Sequence, residues 1–100
     1  MNMIVFNKTI CLKKMVQKNT GELEQKSIRS VRASLQMPSI NFAIKAEAAG
    51  WSVDMIAIVR RSDFAADRYT HVEYNGISYR IIKAETYKKD MFIRLDLERG

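Results

Sequence analysis

The sequence predicts a mainly β protein: a small antiparallel six-stranded β-barrel or curled sheet, with one short helix inserted between strands 2 and 3. Three observations predict it. Apolar residues alternate with polar ones over most of the chain, as they do when one face of a strand is buried. The pair Asn75-Gly76 stands between two such runs, and a two-residue Asn-Gly loop is a strong hairpin signal because a type I′ turn needs positive φ at both central residues. The chain has 100 residues, the size of one domain, and at that size a run of short strands with one helix closes most economically into a barrel.

In chain order, residues 1–7 read as a loosely attached lead-in in which Ile4, Val5 and Phe6 are the groups able to pack down. Residues 8–17 are a first strand, with Ile10 and Leu12 on one face and Thr9, Cys11 and Lys13 on the other. Lys18-Asn19-Thr20-Gly21 is a turn cluster. Residues 23–37 are a long second strand in which Val31, Ala33 and Leu35 alternate with Arg32, Ser34 and Gln36. Ile28 is out of phase with that set, and a bulge near Arg29-Ser30 restores its phase. Pro38 ends the strand, Ser39 caps a helix over 40–49 and Gly50 stops it. Ile40 and Ile44 share one stripe of that helix, Phe42 and Ala46 a neighbouring one. A helix this short is marginal alone, so it must dock or order on binding.

Residues 51–60 form the central strand, with Val53, Met55, Ala57 and Val59 on one face and Ile56 and Ile58 on the other. Apolar residues on both faces imply cover on both sides, by the core and by the helix or a neighbouring subunit. Residues 61–69 are a polar loop carrying one exposed aromatic, Phe64. In the hairpin that follows, Tyr74 faces Ile77, Val72 faces Tyr79 and Thr70 faces Ile81, which separates an apolar face from His71, Glu73, Ser78 and Arg80. After a polar break at Tyr87-Lys88-Lys89-Asp90, a last strand sets Met91, Ile93, Leu95 and Leu97 against Phe92, Arg94 and Asp96.

The composition, 47% hydrophobic and 28% charged, is that of an ordinary globular protein. No apolar run approaches the roughly 18 residues of a membrane span, and the first residues lack the charged and apolar regions of a secretion signal, so neither membrane nor export is expected. The single cysteine, Cys11, forms no internal disulfide and is read as a small strand residue. A net charge of +6 permits contact with nucleic acid or an acidic surface, but the basic residues never run longer than the pairs Lys13-Lys14, Arg60-Arg61 and Lys88-Lys89.

Signs of catalysis, cofactor or metal are missing from the sequence. The four glycines are isolated, with no phosphate-cradling loop. One His and one Cys supply at most half a zinc shell. His71 reads as a surface strand residue opposite Arg80, and no nucleophile motif surrounds Cys11. Asp63 and Asp67 read as solvated loop carboxylates. Tyr69, Tyr74, Tyr79 and Tyr87 interleave with basic residues, but a stacking platform for single strands needs them exposed, and the hairpin register assigns Tyr74 and Tyr79 to the core.

The order of parts then carries a resemblance. Val31-Arg32-Ala33-Ser34-Leu35 precedes an alanine-rich interruption; Ile58-Val59-Arg60-Arg61 and Ser62-Asp63-Phe64 follow; then come Val72-Glu73-Tyr74-Asn75-Gly76-Ile77-Ser78-Tyr79-Arg80-Ile81 and Phe92-Ile93-Arg94-Leu95-Asp96-Leu97. From about residue 9 to 97 this resembles the head–tail adaptor (head-completion, or stopper) proteins of long-tailed double-stranded DNA phages. The resemblance implies a ring, typically of about twelve copies, beneath the portal protein at the capsid vertex. Such a ring extends the DNA channel, passes packaged double-stranded DNA without reading its sequence, and offers a docking surface to a tail or second connector protein. It implies a virion location, with the host cytoplasm before assembly. Residues 39–50 lie where the family carries its variable insertion, which makes Ile40, Phe42, Ile44, Lys45 and Trp51, with Phe64, candidates for subunit or portal contact. Trp51 either anchors a partner or packs within its own core. Arg60, Arg61 and Arg68 are the candidates to face DNA or an acidic partner. The competing readings are a small basic β-barrel that binds nucleic acid and, third, a small ribonuclease-type toxin.

Overall fold

Asn75 and Gly76 form the turn expected of them, with φ of 55° and 79°, and the pairings Tyr74–Ile77 and Val72–Tyr79 follow. In the computed structural model, which describes residues 4–100, the elements run β1 (Lys8–Gln17), β2 (Leu23–Gln36), α1 (Ile40–Ala48), β3 (Met55–Arg60), α2 (Arg61–Phe64), β4 (His71–Tyr74), β5 (Ile77–Tyr87) and β6 (Phe92–Arg99). The strands are antiparallel and close in the order β1-β2-β3-β6-β5-β4. Closure is made by β1 against β4, where Cys11, Leu12 and Lys13 pair with Glu73, Val72 and His71.

The inward residues fill the barrel. Ile10, Leu12, Val31, Ala33, Ala57, Val59, Val72, Tyr79, Leu95 and Leu97 form one core with Tyr69, and each large aliphatic group among them contributes about 2 kcal/mol by leaving water. Both faces of β3 are buried, as its composition required: Ile56 lies under α1 with Ala46 and Val53, and Ile58 is also out of water. The strand is shorter than its apolar run, however. It begins at Met55, and Val53 belongs to the cluster under α1 rather than to the barrel face.

The bulge in β2 is not at Arg29-Ser30. The register slips between Lys14 and Met15, whose partners are Ser27 and Gln25, so Lys26 is the extra residue. Ile28, opposite Lys13, therefore stays outside and is 53% exposed. A second bulge in β5 lies between Ile81 and Lys83. It turns Ile82 outward onto the α1 cluster while Ile81 stays against the barrel core. Met91, expected to open the last strand, sits in the turn before it and is exposed.

Two connections differ from their expected form. The stretch 61–69 is not a free loop. It starts as α2, its Phe64 ring packs on the core 5.9 Å from Tyr69, and its acids hold β1 and β2. Of the lead-in, residues 1–3 lie outside the described residues, and Phe6 is fastened: its ring is 5.4 Å from that of Phe92, under the Arg60 guanidinium.

The β1–β2 hairpin outruns the barrel. β1 meets β4 only at residues 11–13 and β2 meets β3 only at 33–36. Beyond them the hairpin, residues 14–29, projects as an arm, and the molecule measures 48 × 32 × 25 Å.

Candidate functional site

The insertion α1 is built by local signals. Ser39 Oγ accepts the Phe42 amide at 3.1 Å and caps the first turn. At the other end Gly50, at φ 88°, lets its own amide reach the Glu47 carbonyl and the Trp51 amide reach that of Ala46 at 2.8 Å. This paired closure is a Schellman motif, and it fixes where Trp51 leaves the helix. The Phe42/Ala46 stripe docks on Val53, Ile56 and Ile82. The Ile40/Ile44 stripe does not: Ile40 is 79% and Ile44 58% exposed, with Met37 before them and Trp51 after them also exposed. Lys45 is exposed at the rim of the recess beneath.

Under α1 lies an arrangement the alternating pattern did not reveal. Asp96 points outward from β6, yet its side chain is 4% exposed and pairs with Arg94 Nε at 3.1 Å. The Arg94 guanidinium also lies 4.8 Å from the centre of the Phe42 ring. A recess of about 140 Å³ opens beside Asp96, lined by Phe42, Trp51, Ala46, Ala49, Lys45 and Lys83. At the barrel mouth, Leu35, Met37, Met55 and Tyr74 line a shallow apolar groove of about 190 Å³.

The opposite end of the barrel is closed by the 61–69 segment. Asp67 accepts from Ser27 Oγ at 2.7 Å, Lys14 Nζ at 3.2 Å and the Arg68 amide at 2.7 Å. The Ser27 bond first, then the other two, hold its carboxyl below the usual aspartate range. Asp63 meets Arg29 at 3.3 Å. These carboxylates fasten the segment across the arm's inner face instead of standing in solvent. The three candidate arginines are exposed but occupied differently. Arg60 covers Phe6, Arg61 reaches the Asp90 carbonyl, and Arg68 follows the Asp67 staple. Phe64, turned onto the core, leaves the exposed apolar surface.

The arm carries a second apolar surface. Its register places Ile28 opposite Lys13, Gln25 opposite Met15 and Leu23 opposite Gln17. The extra residue Lys26 thereby brings Leu23 and Ile28, five apart in sequence, onto one outer face with Met15 between them. Leu23 is 57% and Ile28 53% exposed. The β2–β3 register runs only from Ala33 to Gln36, so no β3 residue is paired with residues 23–32 of β2 among the described residues.

On the outer face of β1 and β4, Cys11 lies opposite Glu73 and Lys13 opposite His71. The Lys13–Glu73 ion pair at 2.7 Å crosses the diagonal between thiol and imidazole. Cys11 Sγ is 3.8 Å from Ser30 Oγ, and His71 Nδ1 shares a hydrogen bond of 2.7 Å with Thr70. Partial burial, then Arg80 and Lys13, hold His71 below its usual pKa, so the imidazole is neutral at pH 7. A nucleophilic thiol needs a base in contact, and neither group has the other as a partner. Among the described residues, no three His, Cys, Asp or Glu side chains converge on one point.

The fold and these surfaces define a closed six-stranded β-barrel with a helical insertion and a projecting arm. No protein-family model matches the chain, and no curated protein does. Among solved structures it is similar to protein SF1141 from Shigella flexneri 2a, with a TM-score of 0.71 and 17% identity over 100% of this chain and 97% of that one. At that identity the likeness concerns the fold.

Proposed function

We propose that this chain is a structural assembly protein, a connector subunit of the head–tail kind that its sequence resembles, whose copies join into a ring. The observation that carries the reading is the Ile40/Ile44 stripe, left in water on an insertion whose other stripe docks. Clustered apolar residues of this size mark interaction surfaces on soluble domains, and covering them drives association at about 25 cal/mol per Å². In this reading the ring sits beneath a portal protein, extends the channel for packaged double-stranded DNA, and offers a face to a tail component. Ile40, Ile44, Lys45 and Trp51 serve the contact, with Phe42 holding the helix in place. Arg60, Arg61 and Arg68 are the exposed cations available to a passing phosphate backbone or an acidic partner.

Charge distribution supports passage over tight binding. Residues 14–29, 59–70 and 84–92 carry nine Lys and Arg against six Asp and Glu, and the rest of the chain eight against five, so these two unequal parts are +3 each. No end concentrates the cations that a nucleic-acid groove requires. The tyrosines that a single-strand platform would expose, Tyr74 and Tyr79, pack in or against the core. The test pairs electron microscopy of the purified chain with oligonucleotide titrations over a salt series. Ring views and weak DNA affinity are expected. Particles without rings, together with tight binding that weakens steeply with salt, would establish the nucleic-acid-binding barrel instead.

A further inference from the structure

We infer that the recess under α1 is a binding site for one pyrimidine nucleotide, with cytosine the base it fits best. The site belongs to the single subunit and does not rest on the assembly reading. Asp96 stands on the outer face of β6, between Ile56 of β3 and Lys83 of β5 in the register. Its side chain is 4% exposed. Arg94 Nε donates to Oδ1 at 3.1 Å, and among the described residues no group donates to Oδ2. No side-chain oxygen of the described residues is fully buried without a hydrogen bond, so Oδ2 opens on the recess that Asp96 lines. A carboxylate kept almost wholly out of water with one oxygen unpaired calls for an N–H from outside.

The other walls select what carries that N–H. Phe42 and Trp51 offer flat apolar surface, and the Ala46 carbonyl holds the Trp51 amide at 2.8 Å, so the backbone that carries the indole is fixed. A volume of about 140 Å³ matches one six-membered ring, since a cavity of about 150 Å³ holds benzene. A purine would stand partly outside. Around the recess the cations Lys45, Lys83 and Arg94 outnumber the carboxylates Asp96 and Glu85, the latter 3.5 Å from Lys83. That balance disfavours an ammonium held by the aromatic groups and favours a ring bearing an anionic group. Lys45 has no carboxylate partner among the described residues and is exposed at the rim, where a phosphate can meet it. An aminopyrimidine nucleotide joins these features: a stacked ring, an amino N–H for Oδ2 and a phosphate for the lysines. Carboxylates accept from the N4 amino group of cytosine in the same way on DNA, where uracil presents an oxygen.

Trp51 is the chain's single tryptophan, so its fluorescence reads the recess directly. Cytidine 5′-monophosphate (CMP) titrated into sub-micromolar full-length chain should quench it to saturation. Uridine 5′-monophosphate should bind about tenfold more weakly, and cytidine without its phosphate about fivefold. Trp51→Ala, read by calorimetry, should lower the affinity for CMP about tenfold, and Lys45→Ala/Lys83→Ala about fivefold. All three side chains are exposed, and circular dichroism checks that each variant folds. A single-stranded oligodeoxycytidine distinguishes the source. Binding tighter than CMP that weakens steeply with salt assigns the site to a strand, and binding no tighter assigns it to the free nucleotide. CMP that leaves the fluorescence unchanged overturns the site. Equal binding of the uridine and cytidine nucleotides overturns the role of Asp96, and undiminished affinity in Trp51→Ala overturns the location. Rings in the microscope are a separate observation, so failure here leaves the assembly reading in place, and a strict monomer that binds CMP overturns that reading alone.

Discussion

The guanidinium of Arg94 lies 4.8 Å over the ring of Phe42, and this contact ties the inserted helix to the barrel wall. The same guanidinium binds Asp96, a carboxylate almost wholly out of water on the outer surface of β6. Arg94 therefore serves two partners, one on α1 and one beneath it. The insertion owes its position to this contact and to a small apolar cluster, while the Ile40/Ile44 stripe it presents outward stays exposed.

Removing one member of that set should leave the other exposed to the full cost of burial. Arg94→Leu strands the Asp96 carboxylate and should cost about 3 kcal/mol or more in chemical denaturation, with faster amide exchange over α1. Replacing both, Arg94→Leu with Asp96→Leu, should recover most of the loss, because a buried pair is weakly stabilising against an apolar substitute.

The carboxyl of Asp67 is held below its ordinary value of 3.8 by Ser27, the Arg68 amide and Lys14. A lowered carboxyl stabilises the fold above its unfolded pKa, and the contribution disappears as pH falls through the folded value. Amide protection over residues 61–69 should thus drop below about pH 4. Asp67→Asn should weaken that protection at neutral pH and flatten its acid dependence, measured by hydrogen exchange across the titration.

His71 works in a neighbouring pH window. Its folded pKa is depressed from 6.5 by burial and by Arg80 and Lys13, so its contribution is complete above 6.5 and is lost as pH falls through the folded value. An NMR titration of the imidazole should give a midpoint below 6.5, and His71→Gln should remove the matching slope in stability against pH.

Gly76 stands at φ 79° with nothing within 4 Å of an added Cβ. Gly76→Ala should therefore lose stability through backbone strain alone, by about 1 kcal/mol. Gly76→Asn should lose less, because asparagine tolerates the left-handed region. Denaturant midpoints of the two variants check the order.

These elements also mark where sequence is legible. The β4–β5 register follows from Asn75-Gly76 because a type I′ turn fixes the pairing of every later residue. The ends of α1 follow from Ser39 and Gly50 because cap chemistry is local. The docked stripe of α1 is not local information: both Ile40/Ile44 and Phe42/Ala46 are apolar, and the second is the one that meets Val53, Ile56, the outward-turned Ile82 and the Arg94 guanidinium once the barrel closes. Asp96 alternates with core residues and so reads as solvent-facing; its burial comes from α1, some fifty residues earlier in the chain. The bulge at Lys26 could not be positioned from the phase of Ile28, because Ile28 is not a core residue at all. Asp63 and Asp67 were legible as loop carboxylates, but their partners on β1 and β2 meet them only once the barrel closes.

The central claim, that this barrel is an assembly subunit, is tested most directly by the mass of the purified full-length chain. Light scattering and native mass spectrometry over a concentration series measure it. The account predicts a closed oligomer of single stoichiometry that persists at moderate salt. A strict monomer across the series, binding oligonucleotide in a salt-dependent way, would contradict it.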